Sequence, residues 1–124
     1  MVEKQLDVSN NILYVTSSGD VKLEGMLRGV EFIEKSEDLP RKLKILEDAR
    51  TAKVAFNHSE IEIIMNSLEK AVQNYESIRH AIIVSDPTTT AFTMLAAMMI
   101  NNKNYSLQTF STKLAAEKWL ELFN

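Results

Sequence analysis

Arg41 to Leu68, RKLKILEDARTAKVAFNHSEIEIIMNSL, is the stretch whose reading decides the fold. It opens on a short apolar run, Leu43, Ile45 and Leu46, that ends at Glu47-Asp48. It closes on an amphipathic segment that starts near Ser59, with Ile61, Ile64, Met65 and Leu68 at helical spacing and Ile63 widening the stripe. Ser59 and Glu62 match a capping box, in which each side chain satisfies the other residue's free backbone donor. The reading is a strand, a loop over Ala49 to His58, and a helix, placed centrally in an α/β sandwich. Lys44 interrupts the strand, so one part of it is less covered than the rest.

Upstream, Val2 to Val8 and Ile12 to Ser17 are rich in residues that favour strands, and Ser9-Asn10-Asn11 separates them. Asn tolerates positive φ, so a tight hairpin follows. Gly19-Asp20 is expected to break the second strand, with Asp20 capping the next helix. Leu23, Met26, Leu27, Val30 and Ile33 form that helix's apolar stripe, and Glu24 and Arg28 sit one turn apart off it. Ser36 to Pro40 ends it.

Downstream, His80-Ala81-Ile82-Ile83-Val84 reads as a strand buried on both faces, with His80 a structural donor at the sheet rim. Asp86 caps the following helix and Pro87 opens it, where its missing N–H costs nothing. Asn101-Asn102 stops that helix. Tyr105 to Phe110 alternates, Tyr105, Leu107 and Thr109 against Ser106, Gln108 and Phe110. Ser111 or Thr112 caps a final helix with a stripe of Leu114, Ala115, the stem of Lys118, Trp119, Leu122 and Phe123. The order is ββαβαβαβα: about five strands and four helices. Strict alternation after the hairpin implies crossovers and a mainly parallel sheet. With 124 residues, 45% of them apolar and 25% charged, the chain reads as a single domain over 1–124.

Composition narrows the chemistry. There is no cysteine, which excludes thiol nucleophiles, disulfides and Cys-based zinc sites. A formal charge of −3 argues against nucleic acid as partner. The start, MVEKQLDVSN, lacks the order of a signal peptide, and the apolar run from Met94 to Ile100 is far short of the roughly 20 residues that span a bilayer. A soluble, cytoplasmic protein is the expectation.

The hairpin, the helix after Gly19-Asp20, LKILEDA, AIIVSDPTTTAF and FSTKLAAEKWL together resemble STAS-type domains, the sulfate-transporter and anti-sigma-factor-antagonist modules. The nearer likeness is to their SpoIIAA-like branch of small single-domain bacterial proteins. It covers nearly the whole chain, and its most telling pieces are Asp48 after the central strand and the Trp-bearing segment Ala116 to Leu120. The resemblance implies a non-enzymatic module. Regulatory members bind a kinase or anti-sigma factor and are switched by phosphorylation of a serine that follows an aspartate. Here that place reads Phe56-Asn57-His58-Ser59-Glu60, with no acid before Ser59.

The candidate residues follow. Ser59 is a helix cap or a phosphate acceptor, since a helix N-terminus favours negative charge. Asp48, His58, Ser85, Asp86 and Thr88 form a candidate ligand-binding rim at strand ends. A hydrolytic set of His58, Ser59 and Asp48 lacks a nucleophile elbow. A metal site from His58 and His80 with Glu47, Asp48 or Asp86 lacks ligand spacing, and neither metal nor cofactor is expected. The helix with Phe92, Met94, Leu95, Met98, Met99 and Ile100 is apolar almost all round. Met94, Met98 and Met99 are therefore a candidate interface for a protein partner or homodimer. The function expected is a non-catalytic binding module for a protein or small ligand. The alternatives are a phosphorylation-switched regulator and, further off, a small hydrolase or transferase.

Overall fold

The computed structural model describes residues 2–7 and 9–123. Strand β1 (Val2–Asp7) and β2 (Ile12–Val21) form the expected hairpin, paired antiparallel from Val2↔Ser17 to Asp7↔Ile12. Val8, read as the end of the first strand, lies outside the described residues. Asn11 takes the left-handed conformation at φ 57°, and the Asp7 carboxylate ties the turn by accepting from the Ser9 hydroxyl at 2.7 Å and the Asn10 amide at 2.9 Å.

Strand β3 (Lys42–Val54) is much longer than its apolar run. It pairs in parallel with β2 and with β4 (Ser77–Ile83), and β4 pairs in parallel with β5 (Tyr105–Phe110). The sheet order is β1-β2-β3-β4-β5. Two expectations give way here. Gly19 and Asp20 do not break β2, and the supposed loop from Ala49 continues as strand to Val54, because the two segments pair with each other from Ser18↔Thr51 to Val21↔Val54. Gly19 sits at φ 72°, a conformation that costs a glycine little, so the strand passes through it. Between Thr16↔Asp48 and Ser18↔Thr51 β3 carries one extra residue, a β-bulge.

The helices are α1 (Leu23–Lys35), α2 (Ile61–Val72), α3 (Pro87–Met99) and α4 (Lys113–Leu120). Asp20 belongs to β2, so the N-cap of α1 is Lys22, which offers no side-chain cap. The exposed ion pair on α1 joins Glu31 and Lys35 at 3.1 Å. A 3-10 turn (His58–Glu60) precedes α2, and the capping box belongs to it: the Asn57 side chain accepts from the Glu60 N–H, and the Glu60 carboxylate accepts from the Asn57 N–H. The box therefore lies two positions before the Ser59/Glu62 pair read from sequence, because the tight 3-10 turn begins the winding earlier. Ile63 faces solvent, and the buried stripe of α2 is Ile61, Ile64, Leu68, Ala71 and Val72. Asp86 caps α3 as expected, accepting from the Thr89 N–H at 2.9 Å, with Pro87 in the first turn. Thr112 caps α4.

Parity along the strands sorts the core. Leu13, Leu43, Ile45 and Ile78 pack under α1 and α2 with Val30, Leu68 and Val72. Ile100, at the end of α3, joins the same cluster. Leu46, Ala81 and Ile83 point the other way and meet Ala116 and Leu120 of α4. The stripe of α4 is thus rotated from the expected one: Ala116 and Leu120 are buried with Trp119 beside them, while Leu114 and Leu122 are exposed. The Thr112 cap fixes the phase of this short helix, and i, i+4 neighbours meet the sheet.

The base of the three-helix face is latched by Arg41. Its guanidinium donates to the carbonyls of Ser36, Leu39 and Asn74 and lies 4.3 Å from the centre of the Tyr75 ring. The Tyr75 hydroxyl donates to the Ile33 carbonyl at 2.6 Å. One cation thus holds the ends of α1 and α2 together. Replacing Arg41 with Ala is expected to lower the unfolding free energy by about 2 kcal/mol, since several charge-assisted bonds go at once. Urea denaturation checks this, and an unchanged midpoint would refute the latch.

Candidate functional site

Glu47 has the same parity as Leu43 and Ile45, so it points into the three-helix face. Its side chain is only 16% exposed, and a carboxylate so far withdrawn from water has to be paired, because desolvation is costly otherwise. Its partners come from the neighbouring strands. His80 Nε2 lies 2.9 Å from Glu47 Oε1, and the Ser17 hydroxyl donates to Oε2 at 2.8 Å. His80 Nδ1 lies 2.9 Å from the Tyr105 hydroxyl. A polar chain, Tyr105–His80–Glu47–Ser17, therefore crosses β5, β4, β3 and β2 beneath the helices.

One proton arrangement satisfies the chain with a neutral imidazole. Nε2–H donates to Glu47, and Nδ1 accepts from Tyr105. Among the described residues no buried side-chain nitrogen or oxygen lacks a partner. Burial pushes the Glu47 carboxyl up. The His80 hydrogen bond, the charge His80 carries when protonated, the Ser17 hydroxyl and the charge of Lys4 outweigh it, so the group sits below the usual carboxylate range. Burial pushes the Tyr105 hydroxyl well above its ordinary value, and the Glu47 charge adds to that. The Ser17 hydroxyl is bonded to the acid rather than to the imidazole, so the set lacks the nucleophile-to-base contact of a hydrolytic triad.

His80, read as a donor at the rim, stands inside β4, which begins at Ser77. Ser17 and Tyr105 were invisible as site residues in sequence. The available signal was Glu47 itself, an acid at a core-facing parity.

Of the rim residues, Asp48 and Ser85 are joined through Arg50, and the others lie apart from them. Asp48 faces away from Glu47 and is gripped by Arg50 through two bonds of 2.9 and 2.7 Å. The Arg50 hydrogen bond, stronger than the opposing burial, holds the Asp48 carboxyl low. Ser85 donates to the Arg50 carbonyl at 2.8 Å, which joins it to this group. His58 lies instead edge-on to the Phe92 ring of α3, beside Phe56. Asp86 is taken up in capping α3, and Thr88 is exposed on that helix's first turn. Ser59 is exposed, and its hydroxyl donates to the Asn57 side chain at 2.6 Å rather than to His58. Among the described residues no group of three or more His, Asp or Glu side chains is placed to hold a metal ion.

Two clefts flank α3. A small one of about 20 Å³ lies between α2 and the end of α3, touching Met65, Leu68, Met99 and Tyr105. An open groove of about 650 Å³ runs along β5, with Ala97 and Ile100 on one wall and Trp119 and Phe123 on the other. Met94, Met98 and Met99 of α3 are 53%, 82% and 42% exposed. No helix among the described residues is long and apolar enough to cross a membrane.

The polar chain makes an acid-side prediction. Because the folded-state pKa of Glu47 lies below its ordinary value of 4.5, the pair contributes stability that is in place above that pH and lost as pH falls below it. Glu47→Gln is expected to cost about 2 kcal/mol at neutral pH and to flatten the acid loss. Urea unfolding of both proteins across that range measures it, and equal slopes would contradict the assignment.

No protein-family model matches the sequence, and no curated protein matches it. Among solved structures, the chain is similar to an uncharacterized protein of the DUF3478 family with a SpoIIAA-like fold from Shewanella loihica PV-4. The identity is 15% and the TM-score 0.64, over 96% of this chain and 93% of that one. At that identity the likeness concerns the fold, and this chain has the SpoIIAA-like α/β fold that its sequence resembles.

Proposed function

We propose that this chain is a non-catalytic SpoIIAA-like module that works by protein contact, with α3 as the contact surface and a second copy of itself as the occupant. One observation carries the reading: α3 keeps Met94, Met98 and Met99 in solvent while it has no charged residue from Pro87 to Met99. A helix on the outside of a sheet ordinarily shows a polar outer face. Methionine side chains are flexible and polarisable, and they suit surfaces that adapt to a partner. The rest of the molecule supports the same reading. The hydroxyl of Ser59 is bonded to Asn57, that of Ser17 to the half-buried Glu47 carboxylate, and His58 packs on an aromatic ring. A bacterial cytoplasmic setting goes with the resemblance.

Light scattering tests the proposal. The protein is expected to run at twice its chain mass of 14.1 kDa, and Met94→Glu and Met98→Glu to bring it to the single mass with unchanged circular dichroism. A monomeric parent, or a dimer that both variants leave intact, would sink it.

A further inference from the structure

The two outer strands of the sheet differ in kind. The outer strand β1 carries Glu3, Lys4 and Asp7. At the other margin β5, Tyr-Ser-Leu-Gln-Thr-Phe, carries no charge and no proline, and its register with β4 is unbroken from Ile78↔Tyr105 to Ile83↔Phe110. Open strand edges are ordinarily blunted by charges, prolines or bulges, because their free N–H and C=O groups invite another strand. Among the described residues β5 has none of these devices. It also forms the floor of the open groove walled by Ala97 and Ile100 on the α3 side and by Trp119 and Phe123 on the α4 side. Met94, Ala97 and Met98 stand at i, i+3 and i+4, so the exposed methionines share one strip with the groove wall.

We propose that two copies join through β5, the second copy's β5 adding antiparallel along this edge so that the two sheets become one and α3 packs beside α3. The inference rests on the self-association proposed above and names where it happens. Its argument for a second copy is electrostatic. In a two-fold interface the same patch faces itself, so a patch of one net charge repels its copy while a neutral one does not. The chain is 25% charged with a net −3, yet α3 and β5 have no charged residue between them. Lys103, just before β5, is the charged residue lining the groove, and Arg79 beside it is bonded to Ser106 and stacked on Phe123. A two-fold axis perpendicular to the sheet keeps the three-helix face on one side of both copies. That brings the strips of α3 together on one face and the Trp119/Phe123 walls together on the other.

Gln108 is exposed near the middle of the strand and tests the pairing. In an antiparallel pair it lies opposite or diagonal to the other copy's Gln108, within reach of a long side chain. Gln108→Lys and Gln108→Glu are each expected to run as folded monomers by light scattering and circular dichroism. An equimolar mixture of the two is expected to return to the dimeric mass. In the parent, amide exchange of Leu107 and Thr109, whose N–H groups point away from β4, is expected to be slow and to quicken on dilution. A dimer that Met98→Glu breaks and Gln108→Lys leaves intact would overturn strand pairing while α3 association stands. A mixture that stays monomeric, or fast exchange of these amides within the dimer, would overturn it also. A parent that is monomeric would overturn both proposals. If the Gln108 variants do not fold, the exchange measurement on the parent decides.

Discussion

Parity along β3 is the constraint from which the rest of this structure follows. The strand is hydrogen-bonded on both edges, so it can neither slip nor twist out of line. Each side chain is therefore committed to a face. Leu43 and Ile45 go to the three-helix face and Leu46 to α4. Glu47 goes to the three-helix face with them, and an acid delivered there has to be neutralised or bonded. The chain of Ser17, His80 and Tyr105 does so, one contribution from each of the other strands in the parallel run. The bulge just beyond then resets the phase, so that Ala49 and Ala52 are both buried with Ile82 and Val84.

The two faces of the sheet end up covered unequally. Three connecting helices crowd one face, while α4 alone meets the other, mainly over β4 with β3 and β5 beside it. Against this arrangement α3 is the odd helix. Among its residues only Thr89 is buried, anchored by the Asp86 cap and by a hydrogen bond from the Val54 N–H. Its Met94, Met98 and Met99 are an apolar surplus that the sheet does not take up. The functional reading grows from that surplus, because apolar surface left in water carries a free-energy cost that association removes.

The residues near the strand ends tell a different story. Asp48, Ser85 and Asp86 have the chemistry of a ligand rim, but each is taken up locally, by the Arg50 guanidinium, the Arg50 carbonyl or the first turn of α3. Their polarity serves turns and caps. His58 is held against Phe92 in the same way.

Much of the architecture was legible in the chain. The hairpin at Asn11, the Asp86-Pro87 helix start, the alternation of Tyr105 to Phe110 and the element order all follow from local rules: φ preference, capping and side-chain period. What local rules missed was decided by neighbours. Gly19 and the Ala49 to Val54 segment look like strand ends in isolation and become strand because each finds the other. The cap moved from Ser59 to Asn57 because a 3-10 turn starts the winding earlier, and the stripe of α4 turned with the phase that its Thr112 cap sets. The polar chain lay furthest from view. Ser17, Glu47, His80 and Tyr105 are scattered through the sequence, and hydrogen bonds between them exist only once four strands lie side by side. Outside Gly19-Asp20 and Ala49 to Val54, the sequence by itself determined which segments wind and which extend, since those depend on a residue and its near neighbours. The tertiary structure alone decided which polar groups meet and which apolar ones stay in water, since both depend on what the sheet places beside them.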